Sequence, residues 1–386
     1  MPAKIRSAGV PTTLVGVALS GVLAALLASS GAEAASNVGC GDTITTDAAL
    51  HRNLTNCPNN GTIIGADNIT LDLNYHTIDS DGTPAAGCDP HTEFCDVGVL
   101  NDGHDGVTVV HGSVRQFDTG FIVGGARHNG LLDISTSSSR FSGIVIFESA
   151  RSTVENSSVV RNGVHTDQAG MSVFSSRRIR IRHNSIRDNG DIGLYDENLD
   201  RSRLIGNTFS RHPEAGALVN GDGNLVAHNR FRRDVVGVGV GGNDNILRRN
   251  LVENSTNSGL QVGGGKRNLV ARNRVRNAQL GIDIASYGPV ADTVVRRNHI
   301  RDAGKDGLAV RLVRKALKRT QVRRNHVVHS GDDGIDVASA STILTGNAAN
   351  RNADLGIASA RGVTDGGANT AHHNGDPRQC THIACN

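Results

Sequence analysis

One phrase of about two dozen residues is repeated along most of this chain. It reads GNLVAHNRFRRDVVGVGV at 223–240, NILRRNLVENSTNSGLQV at 245–262, NLVARNRVRNAQLGIDI at 268–284, TVVRRNHIRDAGKDGLAV at 293–310 and TQVRRNHVVHSGDDGIDV at 320–337. An asparagine recurs at Asn184, Asn207, Asn229, Asn250, Asn273, Asn298, Asn325 and Asn347, 21 to 27 residues apart. A glycine keeps the same beat at Gly143, Gly170, Gly193, Gly216, Gly237, Gly259, Gly281, Gly307, Gly334 and Gly356. The period is too short for repeats built of helix pairs, which need more than about thirty residues, and the leucines of a leucine-rich repeat are missing. Each unit instead holds about three short runs of β-branched residues alternating with polar ones, the pattern of strands.

The columns beside the asparagine give the shape. Three residues before it stand Ile181, Leu204, Val226, Leu247, Val270, Val295, Val322 and Leu344; two after it stand Ile186, Phe209, Phe231, Val252, Val275, Ile300 and Val327. Both columns must face inward, with the Arg, His, Ser and Thr between them facing out. Equivalent residues of a parallel coil stack about 4.8 Å apart. Inward asparagines then form a ladder at a bend, each amide bonding the next amide and the bent backbone, which avoids a cost of roughly 1–3 kcal/mol per unpaired buried group. The fold expected is all-β: a right-handed parallel β-helix solenoid of about twelve coils, with three short strands per coil.

This pattern resembles the β-helix repeats of the pectate-lyase-like superfamily over nearly the whole chain. The segments CGDTITTDAAL, GADNITLDLNYHTI and VTDGGANTAHHNGDPRQCTHIAC also resemble a group of secreted bacterial β-helix-repeat proteins. The resemblance implies the fold and an extracytoplasmic life. It does not select a reaction, because one scaffold of this kind carries lyases, hydrolases, epimerases and adhesins.

Residues 1–34 read as a signal peptide: Lys4 and Arg6, an apolar run from Val10 to Ala28, then Ala32-Glu33-Ala34 for cleavage. Cys40 lacks the aliphatic residue that a lipidation site needs before it, and nothing else is apolar enough to span a bilayer. Residues 35–60 are expected to be an N-terminal cap, 61–360 the β-helix and 361–386 a disulfide-closed C-terminal cap. Cys40, Cys57, Cys88, Cys95, Cys380 and Cys385 are even in number and sit near the ends, where a solenoid's open strand edges need closing. Pairing neighbours in sequence is the simplest of the possible connectivities. The chain is expected to be secreted or at the cell surface, and monomeric.

Chemistry should sit where outward positions depart from blandness. Two residues after the glycine the column reads Val145, Ser172, Tyr195, Leu218, Gly239, Gln261, Asp283, Ala309, Asp336 and Ala358. Asp283 and Asp336 lie two coils apart, roughly 10 Å. Asp306, Asp332 and Asp333 stand just before the same strands, with Lys305 and Arg311 on the intervening coil and His329 at the preceding turn. Abstracting the proton α to a uronate carboxyl needs that carboxylate neutralised, by Ca²⁺ on acid oxygens or by Arg, and a base. Here Asp283, Asp336, Lys305, Arg311 and His329 are the candidate catalytic residues, with Lys305 or Arg311 as base. Asp306 and Asp333 are candidate ligands for Ca²⁺, the one cofactor the cluster suits. Glycoside hydrolysis would instead need two carboxyls either about 5 or about 6.5–9.5 Å apart. The stretch SGDDGID resembles the acid-bearing strand of pectin hydrolases but lacks their Gly-His-Gly and Arg-x-Lys elements. Asp89-Pro90-His91 resembles part of the Asp-Pro-His-Asp element of alginate epimerases, without its second Asp.

Basic residues line one edge: Arg182-His183, His228, Arg248-Arg249, Arg272, Arg296-Arg297 and Arg323-Arg324, with Glu253, Asp302 and Asp292 too few to cancel them. A polyanion laid along the rod would relieve their repulsion. The formal net charge of +3 excludes a strong overall field, and 3 Tyr with no Trp argue against stacking nucleic-acid bases. Copper delivery is not expected of a chain whose only methionines are Met1 and Met171. Two functions follow: binding and processing of an acidic polysaccharide by lyase- or epimerase-type chemistry, or a non-enzymatic surface rod that adheres or spaces.

Overall fold

The computed structural model describes residues 38–84, 87–88, 95–163, 168–284, 287–288, 290–311 and 319–386. The leader and Asp89-Pro90-His91 lie outside them, as does most of the loops at 164–168 and 314–319. The described chain winds as a right-handed parallel β-helix of about thirteen turns. Three columns of short strands stack along it, every pairing parallel. The first sheet has fourteen strands, from Asp42–Ile44 to Ile357–Ser359. The second runs from Ala48–Ala49 to Thr364–Asp365 and the third from Leu54–Cys57 to Thr370–His372. Two long strands, Thr108–Arg115 and Gly130–Ser137, run through both second and third sheets and bend at His111 and Asp133, which take φ of 52° and 53°.

The inward columns are the core. All eight aliphatics three before the asparagines are 0% exposed, and the Phe209 and Phe231 rings stack at 4.9 Å. The glycine column has a steric cause. A Cβ on Gly281 would sit 2.1 Å from the carbonyl oxygen of Gly307 and 2.5 Å from Ile300 Cγ2, and Gly216, Gly237, Gly259, Gly307 and Gly334 meet the next glycine's carbonyl in the same way.

The asparagines form the ladder their period predicts, and it continues to Asn369. Asn273 is representative. Its Nδ2 donates to the Leu247 carbonyl at 3.0 Å and to Asn298 Oδ1 at 3.1 Å, while its Oδ1 accepts from the Asn250 backbone N–H and Nδ2 at 2.9 and 3.0 Å. The other two bends carry ladders that sequence reading passed over. One climbs through Ser202, Asn224, Asn245 and Asn268; the other through Asn162, Asn189, His212 and Asp234. Their signal was present as asparagines five residues either side of the main column, as in Asn184–Asn189 and Asn268–Asn273.

Both ends join the winding. Asp42–Ile44 pairs with Thr62–Ile64, and Thr370–His372 with Ala348–Asn350, so the segments expected as caps supply strands of their own. Disulfides link Cys40 to Cys57, Cys88 to Cys95 and Cys380 to Cys385, the pairing of sequence neighbours.

Replacing Asn273 with Ala strands the Leu247 carbonyl and the Asn250 N–H. We expect a loss of about 2–5 kcal/mol, against less than about 0.5 kcal/mol for the exposed Asn257→Ala, read as urea denaturation midpoints.

Candidate functional site

Strand register places the acids where the repeat predicts. Gln261 pairs with Asp283, Asp283 with Ala309, Ala309 with Asp336 and Asp336 with Ala358, on strands Ser258–Val262, Leu280–Ile284, Leu308–Val310, Ile335–Val337 and Ile357–Ser359 of the first sheet. Strand alternation turns these side chains outward, yet Gln261 is 4% and Asp283 3% exposed. These two outward side chains are therefore covered, while Arg311 and Asp332 on the same face stay exposed.

Arg311 follows strand Leu308–Val310 and folds back one coil, its Nε donating to Asp283 Oδ1 at 2.7 Å. Burial raises the Asp283 carboxyl above its ordinary value while that hydrogen bond opposes the shift. The same bond, reinforced by the charges of Asp283, Asp306 and Asp336, raises Arg311 further above its ordinary value. Arg311 is thus a fixed cation, and the role of proton acceptor suggested for it by sequence does not suit it.

Beside this pair, oxygens of Asp306, Asp332 and Asp333 lie within 4.8 Å of one another. The Asp333 N–H donates to Asp306 Oδ1 at 3.3 Å, and the Leu355 N–H to Asp333 Oδ1 at 2.9 Å. Burial, then the charges of Asp336 and Asp332, pushes Asp306 up to about 6. Burial also takes Asp333 to about 7, against the Leu355 hydrogen bond and with Asp306, Asp332 and Asp354 adding. Asp336 is raised by burial and Asp332, with Arg311 opposing. Asp283, Asp306 and Asp336 thus share the charge of Arg311, with Asp332 and Asp333 beside Asp306. Lys305, on the turn before Asp306, is exposed and makes no ion pair among the described residues. His329 turns to Asp302, 3.4 Å away, rather than to the cluster.

The second and third sheets carry the opposite charge. Residues one before the ladder asparagines, including His183, His228, Arg249, Arg272, Arg297 and Arg324, take φ between 54° and 57° and point out from the bend. The acids noted beside them are used elsewhere. Glu253, 1% exposed, takes Arg230 at 2.7 Å, Arg232 at 3.4 Å and Arg276; Asp302 takes Arg301 and His329; Asp292 takes Arg319. This triple arginine clasp was not legible beforehand, because its members come from three coils and from positions with no constant letter.

Two family models match parts of the chain: a right-handed beta helix region over residues 200–354, and a periplasmic copper-binding protein (NosD) over residues 60–245. No curated protein matches it in sequence. Among solved structures, the A-module of a mannuronan C-5 epimerase from Azotobacter vinelandii shares 15% identity over 83% of this chain and 91% of that one, with a TM-score of 0.50. A surface adhesin of Streptococcus pneumoniae shares 12% over 83% of each, at 0.47, and a periplasmic alginate epimerase 11% over 86% and 77%, also at 0.47. The first of these likenesses, to the epimerase module, speaks for the fold.

Among the described residues, no group of three His, Cys, Asp or Glu gathers within 60–245 to hold a metal. Met171 is buried in the core, Cys88 and Cys95 are joined in a disulfide, and His212 is fully buried against Asp234. Among the described residues, the one group of three such ligands is Asp306, Asp332 and Asp333, which lies outside that match and offers oxygen only, as a hard cation such as Ca²⁺ prefers.

In an unfolded chain these carboxyls ionise near 3.8. Between that value and about 6 to 7 the folded protein keeps protons that the unfolded chain releases, so the contribution of Asp306 and Asp333 to stability is greatest below about pH 4 and is lost as pH rises through 7. The double variant Asp306→Asn, Asp333→Asn should melt above the wild type at pH 8 and close to it at pH 4; an equal shift at both would contradict the linkage. Saturating Ca²⁺ at pH 8 should raise the wild-type midpoint and leave the double variant's unchanged.

Proposed function

We propose that this right-handed parallel β-helix works outside the cytoplasm, where it binds an acidic polysaccharide and processes it on the outer face of the first sheet. The carrying observation is Arg311: an accessible guanidinium fixed by a buried carboxylate, among acids whose affinity for protons is raised. A polyuronate carries one carboxylate per sugar. Arg311 can take that carboxylate on its remaining N–H donors, which lowers the cost of removing the neighbouring proton.

Asp336 is then the proton acceptor. Burial and Asp332 raise its affinity for a proton, against Arg311, and it stands one coil beyond Ala309 on the same outer face. In elimination, the C5–H pair forms the new double bond as the C4–oxygen bond breaks, and the leaving oxygen takes a proton from an acid on this face, for which exposed Lys305 is placed. In epimerisation C5 loses that proton to Asp336 while the C4–oxygen bond stays intact, and the resulting carbanion takes a proton from an exchangeable acid such as Lys305 on the opposite face of the sugar. Asp283 positions Arg311 and does not touch substrate. Asp306, Asp332 and Asp333 would hold Ca²⁺, adding positive charge against the polymer. His329, drawn to Asp302, stands aside as a supporting residue at the turn.

The test is a set of polyuronates incubated with the purified chain, read by ultraviolet absorbance of unsaturated ends for elimination and by exchange of solvent deuterium into the sugar for epimerisation. Asp336→Ala should lower turnover about 100-fold or more, the usual range for a general base. Arg311→Gln should lower kcat/KM with little change in fold. Turnover unaffected by either would remove these residues from the mechanism, and tight binding without turnover on any substrate would favour the adhesive or spacing rod.

A further inference from the structure

A groove of about 690 Å³ opens on the third sheet and the bend before it, lined by Arg272, Arg274, Arg276, Arg297, His299 and Arg301. Arg297 also borders a second depression of about 340 Å³ with Arg296, Arg323 and Arg324. The two form one track that crosses successive coils. Arg276 is matched by Glu253 and Arg301 by Asp302, but Arg272, Arg274, Arg297 and Arg324 make no ion pair among the described residues. Glu253 is itself shared among three guanidiniums, so the local excess is positive even where pairing occurs. His299 senses that field: burial, then His326, Arg274 and Arg301, holds it below its ordinary value, and it stacks on His326 at 4.8 Å.

Like charges on neighbouring coils repel, and nothing in the folded chain requires arginine at the bend. Gly206 and Gly346 occupy the same column with φ of 71° and 62°, and glycine takes that conformation without the strain an L side chain meets there. Arginine nonetheless fills it on four consecutive coils, at Arg249, Arg272, Arg297 and Arg324. The planar fork of each matches an oxyanion, and the rise of about 4.8 Å per coil sets a linear row of such forks.

We propose that this track is a second, separate binding site, which takes a linear polysaccharide bearing a carboxylate or sulfate on each repeat and lays it across the coils. It lies on other sheets than Arg311 and Asp336, and it holds whether or not the first sheet turns substrate over. Nucleic acid fits it less well, since the groove offers no Phe, Tyr or Trp to stack bases.

The experiment measures binding of an oligogalacturonate and of a sulfated glycan oligomer by calorimetry, in an Arg311→Gln background so that the first sheet contributes little. Saturable binding that weakens with salt is expected. Arg272→Gly with Arg297→Gly should raise Kd about 10-fold or more, two charge-assisted contacts being lost. Arg267→Gly with Arg351→Gly removes the same charge from other bends and should leave Kd within about two-fold, because exposed charges beyond a Debye length are screened. Glycine's presence in the column protects the fold of the first pair, which circular dichroism checks. Equal weakening by both pairs would reduce the effect to net charge and overturn the site. So would binding of an oligothymidylate or of anionic vesicles with none of either sugar. Loss of turnover in Asp336→Ala with glycan binding at the track retained would separate failure of the first reading from failure of this one.

Discussion

The structure depends on one spacing, the distance between hydrogen-bonded strands. Parallel pairing fixes equivalent residues of successive coils at about 4.8 Å, and everything else is what the chain must do to stay in that register. A bend interrupts the strand and would leave backbone groups unpaired inside the rod. The asparagine amide closes this gap in both directions, with its Nδ2 serving the coil before and the coil after and its Oδ1 receiving two donors. The glycine column meets the complementary demand for space, since the first sheet brings each glycine against the next one's carbonyl. One residue type supplies bonds and the other supplies room.

Much of this was legible because a solenoid writes its third dimension into its period. Once Asn273 and Asn298 are taken as equivalent, the pairing of Asp283 with Ala309 and of Ala309 with Asp336 follows by counting, and the structure has that register. The inward aliphatics and the local disulfides were legible for the same reason: each is a column or a neighbour pair. Features without a constant letter were not. The bend through Asn162, Asn189, His212 and Asp234 accepts any small or polar group that can reach the next backbone N–H, so no single letter marks it. The Asp283–Arg311 bond escaped because Arg311 lies just after a strand, where the alternation of the repeat no longer gives a side chain's direction. His329 was placed near the acids by sequence distance, but its left-handed backbone at the bend aims it at Asp302.

The rod separates charge by face. Carboxyls collect on the outer side of the first sheet around one arginine, while guanidiniums collect on the bend between the second and third sheets around few acids. A net charge of +3 conceals both. Such separation is inexpensive in a solenoid, because outward positions are free of packing demands and substitution at one of them leaves the core columns intact. It also means that surface chemistry here is set by rows rather than by single residues. A carboxyl next to another carboxyl one coil away holds its proton more tightly, and an arginine stacked on arginines has more to gain from an external anion.

The central claim is that Arg311, set by Asp283, receives the carboxylate of an acidic sugar on the first sheet. It is tested most directly by a crystal structure of the chain soaked with a short oligouronate. The account predicts a sugar carboxylate on Arg311, with the Asp283–Arg311 bond kept and Asp336 facing the carbon next to that carboxylate. Sugar density elsewhere with none on Arg311, or Arg311 turned away from Asp283, would contradict it.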